Sequence, residues 1–159
     1  MFQIISLVVI ALLTAIDQFT KYLIVSSVKV NGPMELIPNV LRFRYVENTG
    51  AAFSSFSDNT LVLTVITVII IVICLLLLWG RKINSKFAEV CLMIIVSGGV
   101  GNIIDRIAFG YVVDFIEPMF VDFAVFNFAD CCITVGAFML IGYEIYDLFK
   151  SRKQKEKSE

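Results

Sequence analysis

The sequence predicts an all-α membrane protein of four transmembrane helices, with a small β-sheet and a short helix in an outer loop and both termini in the cytoplasm. Three observations carry this. Hydrophobic residues fill 58% of the 159 positions and charged residues only 17%, more apolar material than a domain with a fully wetted surface uses. The run 61–79 holds no charge and is long enough to cross a hydrocarbon core ~30 Å thick. The basic residues are also unevenly shared. With four spans, Arg81, Lys82, Lys86, Lys150, Arg152, Lys153, Lys155 and Lys157 lie on the side of the termini, against Lys29, Arg42 and Arg44 opposite. That bias places the termini inside.

The elements follow in order. Spans are expected at about 4–28, 59–80, 87–106 and 123–149, forming a single integral membrane domain over 1–149. The first has no basic stretch before Ile4 and no small-residue cleavage site after its apolar core, so it reads as a retained span rather than a cleaved leader. The outer loop 29–58 alternates apolar and charged residues in Leu41-Arg42-Phe43-Arg44-Tyr45, the period of a strand with one apolar face. Phe43 and Tyr45 are expected to face lipid or substrate, and residues 51–57 to form the short surface helix. A second outer loop carries Val112-Val113-Asp114-Phe115. The basic tail 150–159 is expected in the cytoplasm, disordered beside the inner leaflet.

Composition also excludes mechanisms. There is no histidine, which removes Ser–His–Asp and Cys–His nucleophiles and His-ligated zinc. Cys74, Cys91, Cys131 and Cys132 fall in apolar stretches without metal-type spacing and read as small buried hydrophobes. Formal net charge is −1, with no basic stripe interleaved with aromatics, which argues against a nucleic-acid partner. The glycine cluster from Gly98 to Gly101 lacks the Lys and Ser/Thr of a phosphate loop and reads as close helix packing.

The polar residues that interrupt the apolar stretches converge. Asp17 and Lys21 lie late in the first stretch, Asn48 precedes the second, Asn102, Asp105 and Arg106 close the third, and Asn127 and Asp130 open the fourth. At about 1.5 Å per residue, Asp17 stands roughly 20 Å above Ile4 and Asn102 about 24 Å beyond Lys86. All reach the outer face, where ionisable groups are costly and usually functional. Asp17 and Lys21, four apart on one helix face, also suit a structural ion pair. Arg106 suits a pair with Asp105, a headgroup contact or a brace for the site. Glu117 and Asp122 read as solvated loop residues.

Five segments in chain order closely resemble the lipoprotein signal peptidases, or type II signal peptidases: Asp17-Gln18-x-x-Lys21, Asn48-Thr49-Gly50-Ala51-Ala52-Phe53-Ser54, Gly98-Gly99-Val100-Gly101-Asn102-x-x-Asp105-Arg106, Val112-Val113-Asp114-Phe115 and Phe126-Asn127-x-Ala129-Asp130. The resemblance covers nearly the whole chain. It implies an intramembrane aspartyl protease of the bacterial cytoplasmic (inner) membrane, working near the outer face without a cofactor. Such an enzyme cleaves prolipoproteins just before a diacylglyceryl-modified cysteine. The catalytic pair then corresponds to Asp114 and Asp130, and Asp17, Lys21, Asn48, Asn102, Arg106 and Asn127 to the surrounding polar shell, which also takes in Asp105. Cys131 stands where the family commonly has serine. The resemblance further implies globomycin as an inhibitor, membrane lipids as partners, and action as a monomer.

The chemistry of two carboxylates agrees. Amide hydrolysis needs a base to activate water and an acid to protonate the carbonyl or leaving nitrogen, and two close carboxylates sharing one proton supply both. Two other readings stay open on the residues alone. One is a Ser/Lys signal peptidase with Lys21 as base and Ser97, Ser54 or Ser55 as nucleophile. The other is a small proton-coupled transporter, whose sites belong near the midplane between repeated halves.

Overall fold

The computed structural model describes residues 1–50, 60–80, 83 and 85–156. Four of its helices are long and apolar enough to cross a membrane. The first is α1 (Phe2–Ser26), which after a break at Ser27 runs into the single turn α2 (Val28–Asn31). The others are α3 (Thr60–Trp79), α4 (Lys86–Phe109) and α5 (Phe128–Glu156). Strands β1 (Met34–Ile37), β2 (Leu41–Asn48) and β3 (Val112–Pro118) make an antiparallel sheet in the order β1-β2-β3. The expected helix at 51–57 lies outside the described residues.

Helix α4 is the hub, packed against α1, α3 and α5. Its small residues allow this, since a stripe without side chains lets backbones approach. A Cβ on Gly98 would collide with the Ala129 carbonyl oxygen of α5, and one on Gly101 would stand 2.5 Å from an Asp17 carboxylate oxygen of α1. Toward the other end of the bundle, Ile10, Cys74, Leu78, Leu92, Met93 and Val96 form a dry core. There the Trp79 indole donates to the Ser6 hydroxyl at 3.1 Å. The outward faces stay apolar, as lipid allows: Leu61, Leu76 and Phe138 are all exposed.

Three features position the site. Helix α4 ends on Gly110 at φ +81°, a left-handed cap that favours glycine, with its amide bonded to Arg106 O. The chain can therefore turn at once into β3, which pairs with β2 so that Val46 faces Asp114 and Asn48 faces Val112. The segment after β3 then folds back. Phe126 N donates to Ile116 O at 3.1 Å, and Phe126 O accepts from the amides of Phe115 and Ile116 at 3.0 and 2.7 Å. This pin brings Asn127, the residue before α5, alongside Asp114. It also accounts for the fourth helix starting at Phe128 rather than near 123: Phe126 is bridged to Ile116 of β3, and the helix begins only after it.

Other expectations need correcting. Phe43 and Tyr45 turn inward, packing on a cluster of Ile24, Val28, Val113 and Phe115, with the Phe43 ring edge-on to Phe115 at 5.6 Å. The apolar face of β2 is thus covered by the end of α1 and by β3. Glu117 is not merely solvated, because Arg42 and Arg44 both bind its carboxylate. The tail is helical as far as Glu156, since its Lys, Arg, Gln and Glu residues are good helix formers that simply continue α5.

Candidate active site

A buried cluster of charge joins α1, α4, β3 and α5. The Lys21 ammonium donates to Asp17 at 2.9 Å, Asp105 at 2.9 Å and Asn102 Oδ1 at 3.0 Å. An ammonium has three hydrogens, so it is saturated. The second Asp17 oxygen accepts the Ala129 amide at 2.9 Å, one of the first-turn N–H groups of α5 that the helix itself leaves unpaired. The Asp105 oxygen bound to Lys21 also accepts the Val113 amide at 3.1 Å, and its other oxygen accepts Gln18 Nε2 at 3.0 Å. Asp17 therefore fixes the start of α5, and Asp105 fixes the backbone residue next to Asp114. The expected Asp17–Lys21 pair is present. Asp105 pairs with Lys21 and not with Arg106.

Asp114 and Asp130 meet through Asn127. The Asn127 side-chain carbonyl accepts the Asp130 amide at 2.9 Å, and its own amide donates back to Asp130 Oδ2 at 3.1 Å. This reciprocal pair is a capping box with aspartate in the acidic position. The Asn127 side-chain nitrogen donates to Asp114 Oδ1 at 2.6 Å and to Asn102 Oδ1 at 3.1 Å. Asn102 in turn donates to Asp130 Oδ1 at 2.8 Å, and Asn48 to Asp114 Oδ2 at 2.7 Å. Each carboxylate is thus held by two donors, and all three asparagines of the expected shell touch one or both.

Both aspartates line a cavity of about 470 Å³, together with Asn48, Asn102 and Arg106. The rest of its wall is mainly apolar, from Val112, residues 123–126 and the first turns of α5. Among the described residues, Arg106 Nε is buried without a hydrogen-bond partner, a donor whose capacity is left unused beside the cavity that Arg106 lines. Asp114 is 1% exposed. Burial, and then the negative charge of Asp130, pushes its carboxyl up from 3.8 to about 7, against the pull of Asn48 and Asn127. A carboxyl poised there can hold a proton at neutral pH and still release it.

The Ser/Lys arrangement finds no support here. All three Lys21 hydrogens are engaged, and the Ser97 hydroxyl donates back to Ile94 O at 2.7 Å. Ser54 and Ser55 lie outside the described residues.

A family model described as signal peptidase (SPase) II matches residues 9–146. A lipoprotein signal peptidase of Streptococcus thermophilus (strain CNRZ 1066) is 39% identical over 134 residues, covering 84% of this chain and 88% of that protein. One from Streptococcus pyogenes serotype M5 (strain Manfredo) is 39% identical over 130 residues, 82% of this chain and 86% of that one. A bacterial membrane enzyme solved by the in meso method at 2.3 Å superposes with a TM-score of 0.83 at 31% identity, over 90% of this chain and 88% of the other. Fold, span-forming helices and relatives together define a multi-pass membrane peptidase. The chain belongs to the signal peptidase II family.

Sequence reasoning passed over several participants. Gln18 ties α1 to Asp105 and to Gly101 O, the latter at 3.1 Å; its place beside Asp17 was the available signal. The Val113 and Ala129 amides hold the cluster's carboxylates, and backbone donors leave no mark in a sequence.

Proposed function

We propose that the protein is an intramembrane aspartyl endopeptidase of the bacterial cytoplasmic membrane that removes the signal peptide of prolipoproteins, N-terminal to a diacylglyceryl-modified cysteine. One observation carries the mechanism: Asp114 and Asp130 open onto one cavity and are bridged by a single asparagine. The relatives named as lipoprotein signal peptidases support the substrate class. In the working cycle the two carboxyls share one proton. The ionised member takes a proton from water as its oxygen attacks the scissile carbonyl, and the protonated member gives its proton to the carbonyl oxygen. Collapse of the tetrahedral intermediate then passes a proton to the departing amine. The raised carboxyl of Asp114 suits it to hold the shared proton at rest. Arg106 Nε, without a partner among the described residues, suits a substrate carbonyl, and the apolar wall suits acyl chains.

The same reading puts the termini in the cytoplasm and the cavity near the outer face, supported by the excess of Lys and Arg on the side of the termini. It makes the enzyme a monomer, and globomycin its inhibitor. The test is to incubate purified protein in detergent with a diacylglyceryl-modified precursor peptide and with its unlipidated twin, and to map products by mass spectrometry. Cleavage just before the modified cysteine, much faster with the lipid and blocked by globomycin, is expected. Equal cleavage of both peptides removes the lipid requirement, and no cleavage of either removes the function.

A further inference from the structure

Hydroxyls in helices that face lipid need a partner, and a carbonyl one turn back on the same helix is the nearest. The helices here follow that pattern. Thr64 and Thr67 of α3 donate to Thr60 O and Leu63 O, both at 2.7 Å, while Thr14 of α1 finds its carbonyl on a neighbouring helix, Ser97 O of α4 at 3.2 Å. Thr134 of α5 departs from it. Its side chain makes no hydrogen bond to any of the described residues, it is exposed, and it lines the same cavity as Asp114, Asp130 and Arg106. It stands four residues after Asp130, on the same helix face and about 6 Å further from the helix start.

That distance has a meaning for a peptide substrate. Cleavage requires the signal peptide to be extended at the scissile bond, which strips its backbone groups of helical partners inside a poorly hydrated site. Each group left unpaired there is costly. An extended chain advances about 3.3 Å per residue, so about 6 Å corresponds to about two residues. With the cavity near the outer face and the signal peptide running toward the cytoplasm, Thr134 lies on the signal-peptide side of the cut. We infer that the Thr134 hydroxyl donates a hydrogen bond to a backbone carbonyl of the signal peptide about two residues before the scissile bond. Thr134 is then a substrate-binding residue, and the assignment rests on the endopeptidase reading above.

The test compares wild type, Thr134→Val and Thr134→Ser on a diacylglyceryl-modified precursor peptide, and on the same peptide with a thioamide at the second residue before the cut. Thr134→Val keeps the shape and removes the hydroxyl. It is expected to lower kcat/KM roughly three- to tenfold, the loss of one hydrogen bond between neutral groups, with unchanged melting temperature. Thr134→Ser recovers most of that loss. The thioamide, a poor acceptor, lowers the wild-type rate by a similar factor and costs Thr134→Val nothing further. The inference is overturned if Thr134→Val stays within twofold of wild type, or if the two losses multiply. It is also overturned if an ether-linked glyceryl lipid, which lacks the ester carbonyls, abolishes the Thr134 dependence, because the partner is then the lipid. A wild-type enzyme that cleaves while Thr134→Val matches it removes this inference alone. A wild-type enzyme that cleaves nothing removes the endopeptidase reading as well.

Discussion

Two groups of buried polar residues sit side by side at one end of the bundle and differ in one respect. Around Lys21, every charged hydrogen and every carboxylate oxygen finds a partner within the chain: Asp17, Asp105, Asn102, Gln18 and two backbone amides close the set. Around the cavity, the aspartates are held by asparagines and also line open space, beside an arginine nitrogen and a threonine hydroxyl that have no partner among the described residues. The contrast teaches how to sort charges in a membrane protein. Saturated charge holds elements together, and charge with unused hydrogen-bonding capacity facing a cavity is where a substrate belongs.

The sharpest way to break this comparison is one chemical change made in both places. Asp114→Asn should lower cleavage by three orders of magnitude or more while the protein stays folded and inserted, read by product formation beside a thermal melt. Asp17→Asn should do the reverse. It leaves Lys21 short of one carboxylate and weakens the anchor on Ala129, a loss of about 3 kcal/mol by analogy with broken buried pairs. Melting temperature and yield should fall, with activity falling only as the folded fraction does. A clean catalytic loss in Asp17→Asn at normal thermal stability would erase the distinction.

A smaller effect concerns pH. The Asp114 carboxyl lies above its ordinary value, at about 7, because it is buried beside Asp130. The folded protein therefore holds this proton more tightly than the unfolded chain does. Its stabilising contribution is full below pH 3.8, declines as pH rises, and is lost by about 7. In a melt series from pH 5 to 8, wild type should lose stability relative to Asp114→Asn. Its kcat/KM should fall as pH climbs through about 7, when the shared proton leaves. A rate that rises over that interval would contradict the assignment. The smallest effect belongs to the sheet's outer face. Glu117 binds Arg42 and Arg44, which are 33% and 44% exposed, so Glu117→Gln should cost no more than about 1 kcal/mol and less in high salt.

The sequence showed much of this contrast, for a physical reason. A charge inside an apolar run is conspicuous, and helical rise alone puts Asp17, Asn102 and Asp130 at one level. The i, i+4 spacing of Asp17 and Lys21 and the i, i+3 spacing of Asn127 and Asp130 likewise announce shared faces. The strand β3 was less legible. Residues 112–115 are buried without the alternation that marks a half-exposed strand, so the run looked like loop. The pin at Phe126, which sets where α5 begins, is made of backbone hydrogen bonds that any residue but proline could supply. Which charges are saturated depends on three-dimensional pairing, so Asp105 could not be assigned to Lys21 rather than to its neighbour Arg106 until the helices were packed.

The most direct test of the aspartate pair is single-turnover cleavage of a diacylglyceryl-modified precursor peptide by Asp114→Asn, Asp130→Asn and the double variant, each confirmed folded by its melt. Groups that act as one unit fail together, so both single variants should be inactive and the double variant no worse than either. Substantial hydrolysis by either single variant, or a double variant slower than both by a further large factor, would show that the two carboxyls do not work as a pair.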